Sequence, residues 1–167
     1  PATAVTTTTY TPGADVTEGR LTYDANMVID FLNLEPVVDL IPAANLVVNG
    51  TNADNAIDYR VGLNSGVANL INPAGVNTGL VSVDGFETIE FGNKMNLTLN
   101  GNAGNDVIHL NNGTTPTALV GITVNGNNPT AGGDKLVIND LAAGNTVTIA
   151  TATNTITGAE PVPVVYG

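Results

Sequence analysis

Apolar residues recur two apart in short runs along this chain, and each run ends at a corner of Gly and Asn. The clearest case is LTLNGNAGNDVIHLNNG, residues 97–113. Leu97 and Leu99 share one face of a predicted strand, and Val107 or Ile108 with Leu110 share a face of the next. Between them, Asn100-Gly101 and Gly104-Asn105-Asp106 supply residues that tolerate positive φ and bond the local backbone. Upstream, GRLTYDANMVIDF reads as two strands around the turn Asp24-Ala25-Asn26. Pro36 keeps LNLEPVVDL out of a helix interior.

The same pattern recurs. NLVVNGTNADNAIDYRVG, residues 45–62, aligns without a gap on residues 96–113 at an offset of 51, and the preceding IDFLNLEPV aligns on VSVDGFETI at 52. The chain therefore carries an internal duplication, 29–62 against 81–113. ITVNGNNPTAGGDKLVI, from Ile122, repeats the pattern 25 residues on, with three residues inserted in the corner. A unit of about 25 residues cannot bury its own apolar face and must stack on copies of itself.

These periods predict an all-β fold, a right-handed parallel β-helix (β-solenoid) of about six ~25-residue coils. Ladders are expected at Leu46/Leu97/Ile122 and Ile57/Ile108/Leu136, and corner Asn side chains are expected to stack as amide ladders. The alternative is an antiparallel β-sandwich in which each Asn-Gly is a hairpin turn. The seven residues between Leu99 and Val107 are too many for a two-residue turn. Residues 1–19 read as a Thr-rich N-terminal strand or arm, and 20–167 as the repeat domain. PVVYG at the C-terminal end is similar to VSVDG (81–85), so the chain stops where another coil would begin. Open ends of this kind predict end-to-end stacking on copies of itself or on neighbouring modules.

Composition narrows the function classes. Val, Ile and Thr are frequent, with 23 Thr and 23 Asn, which suits strands and corners rather than helices. Four basic against 15 acidic residues give a net charge of −11, which argues against nucleic acid and anionic membranes as partners. That acidity suits divalent cations, and plain solubility accounts for it equally. With no cysteine, disulfides and thiolate metal sites are excluded. No apolar run approaches the ~18 residues of a spanning helix. The first residues, PATAVTTTTYTPG, show neither the basic nor the apolar region of a signal peptide.

GNAGNDVIHL, residues 101–110, resembles one copy of the hemolysin-type (RTX) calcium-binding repeat, G-G-x-G-x-D-x-U-x. Gly101, Gly104, Asp106 and Ile108 fall in register, with Asn102 at the second glycine. GGDKLVI matches the last part through Gly132 or Gly133, Asp134 and Leu136. GTNADNAIDY is a weaker copy, with Asn55 at the aspartate position and Asp54 beside it. The resemblance covers about a quarter of the chain. It implies calcium held between corners, with Gly101, Asn102, Gly104, Asp106, Gly132, Asp134 and Asp54 as the candidate ligands. Repeats of that family recur every nine residues, whereas these corners lie ~25 apart. A cation-free Asn/Asp turn is therefore the competing reading.

The wider pattern is similar to modules of very large bacterial surface and secreted repeat proteins. That similarity implies an extracellular or cell-surface, non-enzymatic role as a structural building block. A calcium-stabilised adhesion module for a glycan or protein is the alternative. A polysaccharide-cleaving β-helix is a further one, with Asp30, Asp39, Asp58, Asp84, Glu87, Glu90 and Arg60 as candidate groups. Alternating carboxylates also describe any solvated sheet face. His109, the only histidine, reads as a polar side chain facing out between Ile108 and Leu110. Asn49-Gly-Thr, Asn96-Leu-Thr and Asn112-Gly-Thr are N-glycosylation sequons, two of them on or beside corners and so expected to be exposed.

Overall fold

The structure, a computed structural model, describes residues 4–63, 75–129, 133–139 and 146–167. Seventeen strands are found among them, and most residues lie in two facing mixed sheets that do not close on each other. The larger sheet has nine strands in the order β15-β16-β17-β12-β9-β5-β1-β2-β3. Its five central strands are β17 (Val164–Tyr166), β12 (Gly121–Asn125), β9 (Lys94–Asn100), β5 (Ala43–Asn49) and β1 (Val5–Pro12), all mutually parallel. Antiparallel hairpins flank them, β2 (Glu18–Tyr23) with β3 (Met27–Leu32) on one side and β15 (Thr148–Ala150) with β16 (Thr155–Thr157) on the other.

The smaller sheet has six strands in the order β14-β11-β6-β7-β8-β4. β14 (Lys135–Ile138), β11 (Val107–Asn111) and β6 (Ala56–Val61) run parallel. β7 (Gly79–Val83) is antiparallel to both β6 and β8 (Ile89–Phe91), and β4 (Val37–Asp39) lies parallel to β8. A two-strand ribbon, β10 (Ala103–Gly104) with β13 (Asn128–Pro129), stacks the corners. Among the described residues no helix is long and apolar enough to cross a membrane.

The expectation of a right-handed parallel β-helix of six coils is overturned. Three sets of antiparallel pairs interrupt any continuous winding, and the two mixed sheets are closer to a sandwich. The physical reason is local turn chemistry. Asp24, Asp84 and Asn154 adopt positive φ, which reverses the chain into hairpins at places where the corner motif is absent. The sheets are not the antiparallel sandwich either, because Asn100-Gly101 does not close a hairpin. It carries the chain from β9 in one sheet toward β11 in the other.

The duplication appears as pairing register. Leu46 sits opposite Leu97 and Leu97 opposite Ile122, while Ile57 sits opposite Ile108 and Ile108 opposite Leu136. All but Leu136 are fully buried. Removal of each such side chain from water contributes about 1.5–3 kcal/mol. Stacked pairs of rings, Tyr10 on Phe31 and Tyr59 on Phe91, belong to the same core. β1, the Thr-rich strand, is paired on both sides, by β2 and β5.

On the outer face, Asn side chains form rows across the strands. Asn125 donates to Asn100 at 3.0 Å, Asn100 to Asn49 at 2.9 Å, and Asn49 to the Thr11 hydroxyl at 3.3 Å. A second row links Asn96, Asn45 and Thr7, and a third, on the smaller sheet, links Asn139, Asn111 and Asp58. Each inner amide donates to one neighbour and accepts from the next; two rows end on a Thr hydroxyl and the third on the Asp58 carboxylate.

Candidate functional site

The corners that follow β5, β9 and β12 stack directly on one another. The Gly50 N–H donates to the Asn100 carbonyl at 2.7 Å, and the Gly101 N–H to the Asn125 carbonyl at 2.8 Å. A side-chain column runs beside this one. Asp106 Oδ1 accepts the Asn55 N–H at 2.8 Å, and Asp134 Oδ1 accepts the Asp106 N–H at 2.9 Å. Asp84 extends the column past Asn55, accepting the Ala56 N–H at 2.7 Å and the Asn55 amide at 2.6 Å. Asp54 Oδ1 accepts the Asn105 N–H at 2.8 Å.

This geometry accounts for the Gly-to-Asp spacing. A Cβ on Gly101 would lie 2.3 Å from Asp106 Oδ2, and one on Gly126 would lie 2.1 Å from Asp134 Oδ2. On Gly50 it would lie 2.7 Å from Asn55 Oδ1. Each glycine leaves room for an Asp or Asn side chain; Asn55 caps its own corner, while Asp106 and Asp134 cap the coil beside them. Gly104, at φ +126°, passes so close to Ala53 that a Cβ would meet that backbone at 2.6 Å. Asn102 holds positive φ and donates to the Gly50 carbonyl at 2.8 Å.

Of the candidate calcium ligands, Gly101, Asn102, Gly104, Asp106, Asp134 and Asp54 fall in this column, and Gly132 lies outside the described residues. Calcium takes six or more oxygens. Among the described residues no three His, Cys, Asp or Glu side chains converge as a metal would require. One oxygen each of Asp54, Asp106 and Asp134 is occupied by a backbone N–H of an adjacent coil. In the described residues these carboxylates cap corners.

Asp106 is the most perturbed member. It is 1% exposed, and its Oδ2 has no hydrogen-bond donor. Burial pushes its carboxyl above the usual range; the Asn55 N–H opposes this, while the charges of Asp134, Asp54 and Asp84 push it further up.

The carboxylates considered for catalysis are scattered. Asp30 pairs with Arg20 on the exposed β2–β3 hairpin, and Asp58 pairs with Arg60 on β6. Asp84 belongs to the corner column, and Glu90 is buried against the Thr78 hydroxyl at 2.6 Å. His109 is partly exposed between buried Ile108 and Leu110. Asn112 is buried, unlike an acceptor for a glycan, and its Oδ1 caps Thr114; the Asn49 and Asn96 amides are engaged in the outer rows.

Sequence reasoning missed one cluster. Lys94 of β9 and Asp39 of β4 form an ion pair inside the core, 2.9 Å apart with both side chains fully buried. Tyr23 is buried nearby, and burial with the negative charge of Asp39 raises its pKa far above the ordinary phenol value. Lys94 immediately follows Gly92-Asn93 and precedes the apolar alternation of β9, so nothing in the periodicity marks it as inward-facing.

Taken together, the sheets and the hydrogen bonds between corners define an all-β chain whose corners stack on one another. No family model matches it, and no curated protein or solved structure matches it either.

Proposed function

We propose that this chain is a non-enzymatic structural building block of an extracellular fibre or cell-surface repeat protein, joining copies of itself or neighbouring modules end to end. The reading rests on the two edges of the nine-stranded sheet. β3 leaves Met27, Val28, Ile29 and Leu32 exposed, Val28 at 54%. At the opposite edge Val147 and Ile149 are exposed, Ile149 at 61%, beside an apolar groove that includes Leu136, Ile138 and Ile156. Natural sheets blunt exposed edges with Lys, Pro or bulges. β3 carries one charge, Asp30, which Arg20 neutralises. Two different apolar edges of one sheet make a heterologous contact, and such a contact propagates rather than closing a dimer.

Sedimentation and electron microscopy of edge variants test this. Wild-type chains are expected to form assemblies that lengthen with concentration. Ile29→Lys at one edge, or Ile149→Lys at the other, stops growth. Mixing the two variants restores only a one-to-one complex, because each retains one intact edge. A wild-type chain that stays monomeric at every concentration refutes the reading.

A further inference from the structure

The buried Lys94–Asp39 pair lies where the two sheets meet, with Lys94 on the larger and Asp39 on the smaller. Its surroundings are closed to water. Lys94 Nζ donates to the Ile41 carbonyl, and Asp39 Oδ1 accepts the Ile41 N–H at 3.1 Å. Leaving an ion pair here is a weak way to stabilise a core, since desolvation of both ions offsets their attraction. Burial also draws the Lys94 ammonium toward its neutral amine, against the pull of Asp39. A neutral amine held against a carboxyl group in a dry pocket is the arrangement that amide formation requires.

We propose that Lys94 and Asp39 join through an intramolecular amide bond that cross-links the two sheets. One proton passes from the ammonium to the carboxylate, giving a neutral amine and a carboxylic acid. The Nζ lone pair attacks Asp39 Cγ and the N–C bond forms. The Cγ–OH bond breaks, and the hydroxyl leaves with one nitrogen proton as water. No oxidant, metal or second substrate enters the balance.

Mass spectrometry of the purified chain under denaturing conditions tests the bond. The expected mass is that of the sequence less one water. Arg20, Arg60, Lys94 and Lys135 are the four basic residues, so trypsin should release 21–60, 61–94 and 95–135 from an unlinked chain. With Lys94 acylated, cleavage there is blocked, and 61–135 stays joined to 21–60. Lys94→Arg keeps the charge but removes the nucleophile, and its mass should be the full sequence value. Asp39→Ala removes the acyl carbon, and its mass should likewise be the full sequence value. Full wild-type mass with three separate peptides overturns the proposal.

Discussion

Replacing Asp106 by Asn tests the corner column most directly, because the chain already contains the comparison: Asn55 occupies the equivalent place in the preceding unit. In wild type, Asp106 Oδ1 accepts one N–H while buried Oδ2 accepts nothing. A buried acceptor without a partner costs roughly 1–3 kcal/mol, and the nearby Asp134, Asp54 and Asp84 add repulsion once the group ionises. Asp106→Asn keeps Oδ1, removes the charge and turns the second atom into a donor. We expect it to stabilise the fold by about 1–2 kcal/mol at neutral pH, or roughly 2–8 °C in Tm for a chain of this size.

The sign of the pH dependence follows from linkage. The folded Asp106 pKa is raised above an unfolded value of about 3.9. Its favourable, protonated contribution is complete below about pH 3.9 and is lost as pH rises through the folded pKa. Urea unfolding followed by tyrosine fluorescence, from pH 4 to 9, should show the advantage of Asp106→Asn growing with pH and then levelling. An Asn variant that is less stable than wild type at neutral pH, or an advantage that does not change with pH, refutes the reasoning.

Gly101→Ala should destabilise by about 1–3 kcal/mol through the 2.3 Å approach to Asp106 Oδ2. In an Asp106→Ala background much of that cost should vanish, and a double-mutant cycle reads the coupling as about 1–2 kcal/mol. Asn100→Ala, at the middle of an amide row, should cost more in chemical denaturation than Asn125→Ala, which removes one link instead of two. Because one oxygen of each described column carboxylate is taken by a backbone N–H, a calcium titration followed by thermal unfolding should leave Tm unchanged; a rise with calcium excess would favour the metal reading.

Much of the pairing register was legible in the sequence, because residues 51 and 25 apart repeat the same Φ-x-Φ-Asn-Gly order and those offsets are the ladders seen in β5, β9 and β12. The reversals were not. Nothing in the repeat distinguishes Asp84-Gly85, which turns the chain back between β7 and β8, from a corner that sends it on to the facing sheet. Extrapolating one period over the whole chain produced a helix of coils where the structure has hairpins on both flanks. At the corners the sequence showed the residue types but not their role. Gly101 and Asp106 match a calcium pattern, and the same spacing arises when a glycine makes room for a capping carboxylate. Lys94 was invisible because burial of a lone cation depends on its partner, Asp39, 55 positions away in sequence.

The coincidence of the 51-residue repeat with strand register also constrains how such a chain can change its length in evolution. β5 and β9 superpose residue for residue, as do β6 and β11. A slip of one residue would turn every inward Leu outward and strand the Asn rows in the core. Gain or loss of one whole unit leaves inside and outside where they were, and the new Asn meets an Asn above and below. Between β5 and β9, and between β6 and β11, a change of length therefore keeps the sheet only when it restores the same register.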